Sequence, residues 1–181
     1  MNLANKITIF RIVLVPIFLL VLYSNIPNNT YMATAIFVIA AITDTLDGYI
    51  ARHKNLITNF GKFFDPLADK ILVSAALIYL VEVGKVPAWI VILIMSREFA
   101  ITGFRVIAAS EGITIAASPL GKFKTITQLI AIPLLLLDNW PFHKLNVPLD
   151  MILIYIALFF TVLSGIDYIY KNRAVFDVND I

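Results

Sequence analysis

Cysteine is absent from the 181-residue chain, and charged residues are scarce, at 14% of the sequence. Without cysteine the chain has neither a disulfide framework nor a thiolate metal site. The net charge of +2 is too small to indicate nucleic-acid binding, and the sequence has no basic patch with interleaved aromatic residues. The scarcity of charge also argues against an ordinary soluble domain, in which about 25% of the residues are charged.

Hydrophobic residues, in contrast, make up 60% of the chain, and its mean hydropathy is +0.89. A helix that spans a bilayer needs roughly 20 mostly apolar residues. The pattern predicts an all-α integral membrane protein with six transmembrane helices, a short N-terminal juxtamembrane segment and a single domain over residues 1–181. The predicted spans cover roughly residues 9–23, 31–50, 60–81, 87–109, 119–137 and 149–170.

Most of the basic residues fall on one side of this predicted bundle. Six spans bring both termini to the same side, and Lys85 and Lys144 are the basic residues of the opposite side. Because basic loops stay in the cytoplasm, we expect both termini to be cytoplasmic and the protein to lie in the cell membrane. The side of the termini carries Lys6, Arg11, Arg52, Lys54, Lys62, Lys122, Lys124, Lys171 and Arg173, with Arg105 close by.

Four aspartates interrupt this apolar sequence in the stretch DTLDGYIARHKNLITNFGKFFDPLAD, residues 44–69. At about 100° per residue, Asp44 and Asp47 share one face of the second helix, and Asp65 and Asp69 share one face of the third. The connecting turn is short, so the two faces can meet, about 10 Å below the cytoplasmic surface at 1.5 Å per residue. Charges at that depth are costly and usually functional.

Four converging carboxylates repel one another unless cations compensate them. Nearby basic residues offset part of this charge, and divalent metal offsets it more economically. Oxygen donors without histidine or cysteine favour Mg²⁺, Mn²⁺ or Ca²⁺ over zinc. Two metals can clamp a pyrophosphate, and a carboxylate can act as general base on an attacking hydroxyl. The stretch therefore predicts phosphoryl or nucleotidyl transfer.

Small residues lie on the carboxylate faces, namely Gly48, Ala51 and Gly61. They allow either close helix packing, which is common in membranes, or room for a bulky polar ligand beside the metals. The spacing alone does not distinguish these alternatives.

The residues from Asp44 to Asp69 resemble the complete signature of the CDP-alcohol phosphatidyltransferases. The pattern is Asp44-x-x-Asp47-Gly48-x-x-Ala51-Arg52, then eight residues, then Gly61-x-x-x-Asp65-x-x-x-Asp69. The resemblance implies attack of an alcohol on a CDP-linked lipid with release of CMP, a two-metal Mg²⁺ or Mn²⁺ site on the four aspartates, and a homodimer. It also implies that Asp69 is the base and that the CDP moiety is held by Gly48, Ala51, Arg52 and Gly61.

A second group of ionisable residues bears on the acceptor alcohol. The stretch SREFAITGFR places Arg97 and Arg105 on one side of the fourth span, and GKFKTITQ places Lys122 and Lys124 at the start of the fifth. These four residues predict a site for an acceptor that carries its own phosphate. The alternatives are a structural ion pair between Arg97 and Glu98, and ordinary cytoplasmic anchoring by the lysines.

Both stretches, and the opening NLANKITIFRIVLVPIF, resemble the phosphatidylglycerophosphate synthases within this family. The resemblance implies CDP-diacylglycerol as donor and sn-glycerol 3-phosphate as acceptor, with Asn5 and Thr8 at the CDP-lipid; Ala4 replaces the usual proline. Inositol phosphate is an alternative acceptor. A divalent-cation transporter is a remote alternative, since the chain lacks the paired repeats and matching Gly/Pro-broken helices of many transporters.

Overall fold

Six α-helices make up the protein in the computed structural model, which describes the backbone of residues 3–54, 59–110, 115 and 118–172. Side chains are described for residues 9–43, 67–68, 70–109, 115 and 118–172. The described residues contain no β-strand, so the all-α prediction is confirmed. The helices are α1 (Leu3–Leu22), α2 (Asn29–Lys54), α3 (Asn59–Glu82), α4 (Ala88–Ser110), α5 (Pro119–Leu136) and α6 (Leu149–Lys171), with a short 3₁₀ turn at Phe142–Leu145.

The helices begin and end close to the predicted apolar segments, except at the N-terminus. There, the polar lead that was expected to form a separate juxtamembrane segment is the first part of α1, which begins at Leu3. Hydropathy marks the apolar part of a helix, whereas backbone hydrogen bonds continue beyond it into polar sequence. Pro16 and Pro133 lie inside α1 and α5.

A large apolar core occupies one half of the bundle. It consists of residues from the C-terminal halves of α1, α3 and α5 and from the N-terminal halves of α2, α4 and α6. Phe18, Phe37 and Leu77 are fully buried in it. Successive helices must therefore run in opposite directions, because only then do these halves lie at the same level. Within the described residues, the buried charged side chains, Arg11 and Lys124, lie in the opposite half.

The outside of the bundle is apolar. Leu20, Val106, Phe159 and Ile166 are between 62% and 73% exposed, whereas soluble monomers rarely expose large apolar patches. In the part of the chain that the structure describes, α6 is the one helix both long and apolar enough to cross a membrane by composition, and Ile9–Leu22 and Asn29–Thr43 are shorter apolar stretches. These features are consistent with a membrane protein.

The turn between α3 and α4 is tied to the end of α5 by Lys85. Its Nζ donates to the carbonyl oxygens of Leu135 (3.0 Å) and Leu136 (3.2 Å) and lies 2.9 Å from the carboxylate of Asp138. The last carbonyls of a helix lack partners within the helix and carry partial negative charge. Lys85 therefore acts as a C-terminal cap from a neighbouring turn.

We expect Lys85→Ala to lower the free energy of unfolding by about 1–2 kcal/mol, because it removes a charged donor from the end of α5. Thermal unfolding in detergent measures the change. Asp138→Asn is the control: Asp138 is 81% exposed, so its ion pair should contribute less than about 1 kcal/mol. Equal losses in the two variants would show that the surface ion pair, and not the carbonyl contacts, provides the stability.

Candidate functional site

The four predicted metal ligands lie on two helices that contact each other. Asp44 and Asp47 belong to α2, and Asp65 and Asp69 belong to α3. Their side chains lie outside the described ones, so the convergence of the carboxylates stays a prediction. The contacts of the predicted CDP-lipid residues likewise stay predictions; these residues are Asn5, Thr8, Gly48, Ala51, Arg52 and Gly61. Among the residues that the structure does describe, no cluster of three metal-binding side chains occurs.

Lys70 connects this helix pair to a basic cavity. It follows Asp69 on α3, and its side chain lines a cavity of about 450 Å³ between α3, α4, α5 and α6. The cavity lies in the half of the bundle opposite the apolar core. Its charged and aromatic lining consists of Lys70, Arg97, Glu98, Arg105, Lys122 and Tyr168, and we call it the basic cavity.

Among the described residues of this lining, there are four cations and one carboxylate. A cleft lined mainly by charges of one sign attracts counter-ions more strongly than a flat surface does. The volume is sufficient for a small phosphorylated metabolite. The basic cavity is thus suited to a compact, polar anion.

Glu98 neutralises two cations at the wall of the basic cavity. Its Oε1 lies 2.9 Å from Nη1 of Arg97 and 2.9 Å from Nζ of Lys124. The side chain of Lys124 is only 5% exposed. A buried ammonium is costly without an anion, so Glu98 allows Lys124 to be buried between α4 and α5. The ion pair between Arg97 and Glu98, which is the structural alternative to an acceptor site at Arg97, is therefore present.

Lys124 differs from the other three predicted acceptor residues. Arg97, Arg105 and Lys122 line the basic cavity together, whereas Lys124 lines a small neighbouring cavity of about 30 Å³, which shares Lys70 and Glu98 with it. Gln128, almost fully buried, lines the same small space, which suffices for about one water molecule. Lys124 and Lys122 thus point to different surroundings although they are two residues apart.

Arg97 is held by α6 as well as by Glu98. Its Nη2 donates to Oγ of Ser164 at 3.0 Å. Two glycines leave space for the side chain: a Cβ on Gly165 would lie 3.3 Å from Cγ of Arg97, and a Cβ on Gly121 would lie 3.6 Å from Nη2. Arg97 is therefore positioned by three helices.

Arg105 is held by a tyrosine. Its Nε donates to the hydroxyl oxygen of Tyr168 at 3.0 Å, and its Cζ lies 5.4 Å from the centre of the tyrosine ring. Tyr168 is only 2% exposed and packs edge-on against Phe104, with ring centroids 5.7 Å apart. A buried side chain on α6 thus orients an exposed arginine on α4.

Lys122 extends from the capped start of α5. Ser118 is the N-cap, and its Oγ accepts from the backbone N–H of Gly121 at 3.1 Å. Lys122 is exposed, and the positive end of the helix dipole lies beside it. Lysine and helix therefore contribute positive potential to the same wall.

Ser164 and Tyr168, which hold the two arginines, were not predicted from the sequence. A signal was available, because both are polar and lie four residues apart, and thus on one face, in the otherwise apolar sixth helix. Polar groups in such helices usually face the bundle interior. On the same helix, the carboxylate of Asp167 lies 2.8 Å from the ammonium of Lys171, one turn away.

Comparisons with known proteins give a consistent result. The model of the CDP-alcohol phosphatidyltransferase family matches residues 1–163. Similar proteins from several bacteria bear the name CDP-diacylglycerol--glycerol-3-phosphate 3-phosphatidyltransferase. The one from Bacillus subtilis is 49% identical over 94% of this chain and 95% of its own length. The one from Rickettsia bellii is 39% identical over 92% of this chain and 93% of its own length. The one from Haemophilus influenzae is 40% identical over 93% of this chain and 91% of its own length.

The family match contains the whole stretch from Asp44 to Asp69 on which the resemblance was based. It also contains α4 and α5, and most of α6, so it includes the greater part of the basic cavity. The relatives extend the likeness over almost all of the chain. The protein therefore belongs to the CDP-alcohol phosphatidyltransferase family.

Proposed function

We propose that this protein transfers a phosphatidyl group from CDP-diacylglycerol to sn-glycerol 3-phosphate, which gives phosphatidylglycerophosphate and CMP. The names of relatives that match over nearly the full chain support this reaction. The observation in the molecule that carries the proposal is the basic cavity, where Arg97, Arg105 and Lys122 surround space for a small anion. An acceptor without a phosphate would leave the positive charge of this cavity only partly compensated, by Glu98.

The donor site in this proposal is the helix pair α2 and α3. The aspartates on it supply only oxygen donors, one helical turn apart within each pair, and the two helices contact each other. This arrangement fits two Mg²⁺ or Mn²⁺ ions held by Asp44, Asp47, Asp65 and Asp69. When bound, such ions neutralise the pyrophosphate of the donor and the charge that develops on the departing CMP.

Further contacts to the donor are assigned from the family resemblance. In the proposal, Gly48, Ala51 and Gly61 give the cytidine close access to the helix backbones, and Arg52 holds the CDP moiety. Asn5 and Thr8 at the start of α1 complete the CDP-lipid site. The acyl chains remain in the lipid around the bundle.

The acceptor phosphate binds in the basic cavity, and the free primary hydroxyl of glycerol 3-phosphate points to α3. Asp69, adjacent to the cavity residue Lys70, takes the hydroxyl proton. The acceptor oxygen then bonds to the lipid-side phosphorus, and the bond from that phosphorus to the CMP oxygen breaks. CMP leaves with the electron pair, and the proton stays on Asp69 until water removes it.

The arrangement in the membrane is part of the same proposal. Six helices cross the bilayer, both termini are cytoplasmic, and the active site opens to the cytoplasm. The protein functions as a homodimer in the cell membrane. The apolar outer surface and the location of the basic cavity at the end of the bundle that carries both termini support this topology.

The reaction is tested by CMP release from the purified protein in detergent. The assay supplies CDP-diacylglycerol and Mg²⁺ or Mn²⁺, with glycerol 3-phosphate, inositol phosphate, serine and inositol in parallel. We expect release with glycerol 3-phosphate alone, and its loss when a chelator removes the metal. Release with inositol phosphate instead would support the reaction type but show that glycerol 3-phosphate is not the acceptor. No release from folded, metal-bound protein would favour cation transport.

We expect Asp69→Asn to lower kcat by about 10²–10⁴-fold, the usual contribution of a general base. Asp167→Asn is the matched control, because Asp167 is an aspartate on α6 that pairs with exposed Lys171. It should keep wild-type kcat. Initial rates at saturating substrates make the comparison, and equal kcat values for wild type and Asp69→Asn would remove Asp69 from the mechanism.

Lys122 and Lys124 provide a contrast within one helix. Lys122→Ala should raise KM for glycerol 3-phosphate by roughly 5- to 30-fold, the effect of a lost charge-assisted hydrogen bond, and should leave stability unchanged. Lys124→Ala should lower the free energy of unfolding by about 2–3 kcal/mol, less than for a fully unpaired buried charge because Arg97 remains beside Glu98. Steady-state kinetics and thermal unfolding separate the effects. The reverse pattern would place the acceptor phosphate at Lys124.

A further inference from the structure

Tyr168 is fixed in place by its surroundings on α6. It is 2% exposed, and its ring packs against Phe104 and Ile101 of α4 in a small apolar cluster separate from the main core. A ring that is buried on several sides has one orientation available to its hydroxyl. The hydroxyl oxygen is therefore a fixed hydrogen-bond acceptor at the edge of the basic cavity.

Arg105 is the side chain that this hydroxyl holds. Arginine is flexible, and ordering its side chain costs up to about 2 kcal/mol of conformational entropy. Arg105 is exposed on α4, so the helix surface alone does not restrict it. The bond from Nε to the hydroxyl at 3.0 Å, together with the ring 5.4 Å from Cζ, orders the guanidinium before any ligand binds.

The choice of Nε also matters for the chemistry. The Nη1 and Nη2 groups carry four of the five N–H donors of a guanidinium, and together they form the fork that fits two oxygens of one phosphate. A bond through Nε leaves that fork for a ligand. Tyr168 therefore orients Arg105 without occupying the donors that recognise an anion.

We propose that Tyr168 is a positioning residue for the acceptor, which holds Arg105 in the orientation that binds the phosphate of the acceptor. The inference rests on the proposed function, since it concerns the acceptor of that reaction. It adds a residue on α6, outside the metal-binding helices, that sets the affinity for phosphorylated acceptors. Tyr168 touches neither the donor lipid nor the reacting atoms in this scheme.

The test is Tyr168→Phe, which removes one oxygen and keeps the ring against Phe104 and under Arg105. We expect KM for glycerol 3-phosphate to rise by roughly 5- to 30-fold, because binding must then order the arginine. KM for CDP-diacylglycerol and kcat should stay within about twofold of wild type, since the reacting groups are unchanged. A merely structural role would lower stability and affect both substrates together.

Coupling to Arg105 separates positioning from direct binding. In an Arg105→Ala background, Tyr168→Phe should produce no further rise in KM for glycerol 3-phosphate, because the guanidinium that the hydroxyl holds is absent. Tyr155→Phe is the control: Tyr155 lies on the same helix, near the opposite end, against Trp89, and should behave as wild type. Arg105→Lys tests the same hydrogen bond by removing its donor, Nε of Arg105. It keeps the charge but has neither Nε nor a fork, so KM for glycerol 3-phosphate should rise comparably.

Each outcome is decisive. If wild type uses glycerol 3-phosphate and Tyr168→Phe keeps its KM, the inference is wrong and the proposed function stands. A Tyr168→Phe effect that persists in full without Arg105 would also overturn it. Should Tyr168→Phe fail to fold, a wild-type KM in Arg105→Lys would refute the inference by itself. A wild type that does not use glycerol 3-phosphate at all would instead refute the proposed function.

Discussion

The partly buried carboxylate of Glu98 makes the ion pairs on which the arrangement of α4, α5 and α6 depends. An ammonium and a guanidinium are expensive to remove from water, and one oxygen of Glu98 lies 2.9 Å from both Lys124 and Arg97. The same arginine then reaches Ser164 on α6. Charge compensation at one point thus fixes three helices relative to one another, and the basic cavity lies between these helices and α3.

This charged cluster is possible because the bundle separates polar from apolar residues along its length. One half contains the apolar core, with Phe18, Phe37 and Leu77 fully buried and Lys85 closing the end of α5. The other half contains the charged residues that line cavities. A well-packed half supports the helices, so the polar half can remain open to ligand. Such a division suits a reaction between a membrane lipid and a water-soluble acceptor, because the acceptor can enter from the polar end.

The proposed donor and acceptor sites meet on α3. Asp69 and Lys70 are neighbours in sequence, and the side chain of Lys70 lines the basic cavity. Carboxylates on α2 and α3 favour metal and therefore the pyrophosphate of the donor, whereas cations on α4 and α5 favour a free anion. In the proposal, opposite charges on adjacent helices assign the two substrates to different places. The acceptor hydroxyl would then lie where the two places adjoin, beside the proposed base.

The sequence by itself determined the membrane class, the six helices and the chemistry to look for. Runs of apolar residues specify helices because backbone groups in lipid must bond within the segment, and the aspartates stand out because charge in such runs is costly. The spacing from Asp44 to Asp69 was enough for the family, which the comparisons confirm. The same reasoning was less accurate at the start of α1, where polar sequence continues a helix.

Only the tertiary structure decided which cations share a cavity. Lys122 and Lys124 are chemically identical and about 200° apart around α5, so one is exposed to the cavity and the other is buried against Glu98. The sequence contains both lysines but does not state which face of α5 meets α4. Likewise, Ser164 and Tyr168 acquire their roles from partners more than sixty residues away. The physical reason is that local sequence sets the helix, whereas the partner of a buried charge is set by which helix faces pack together.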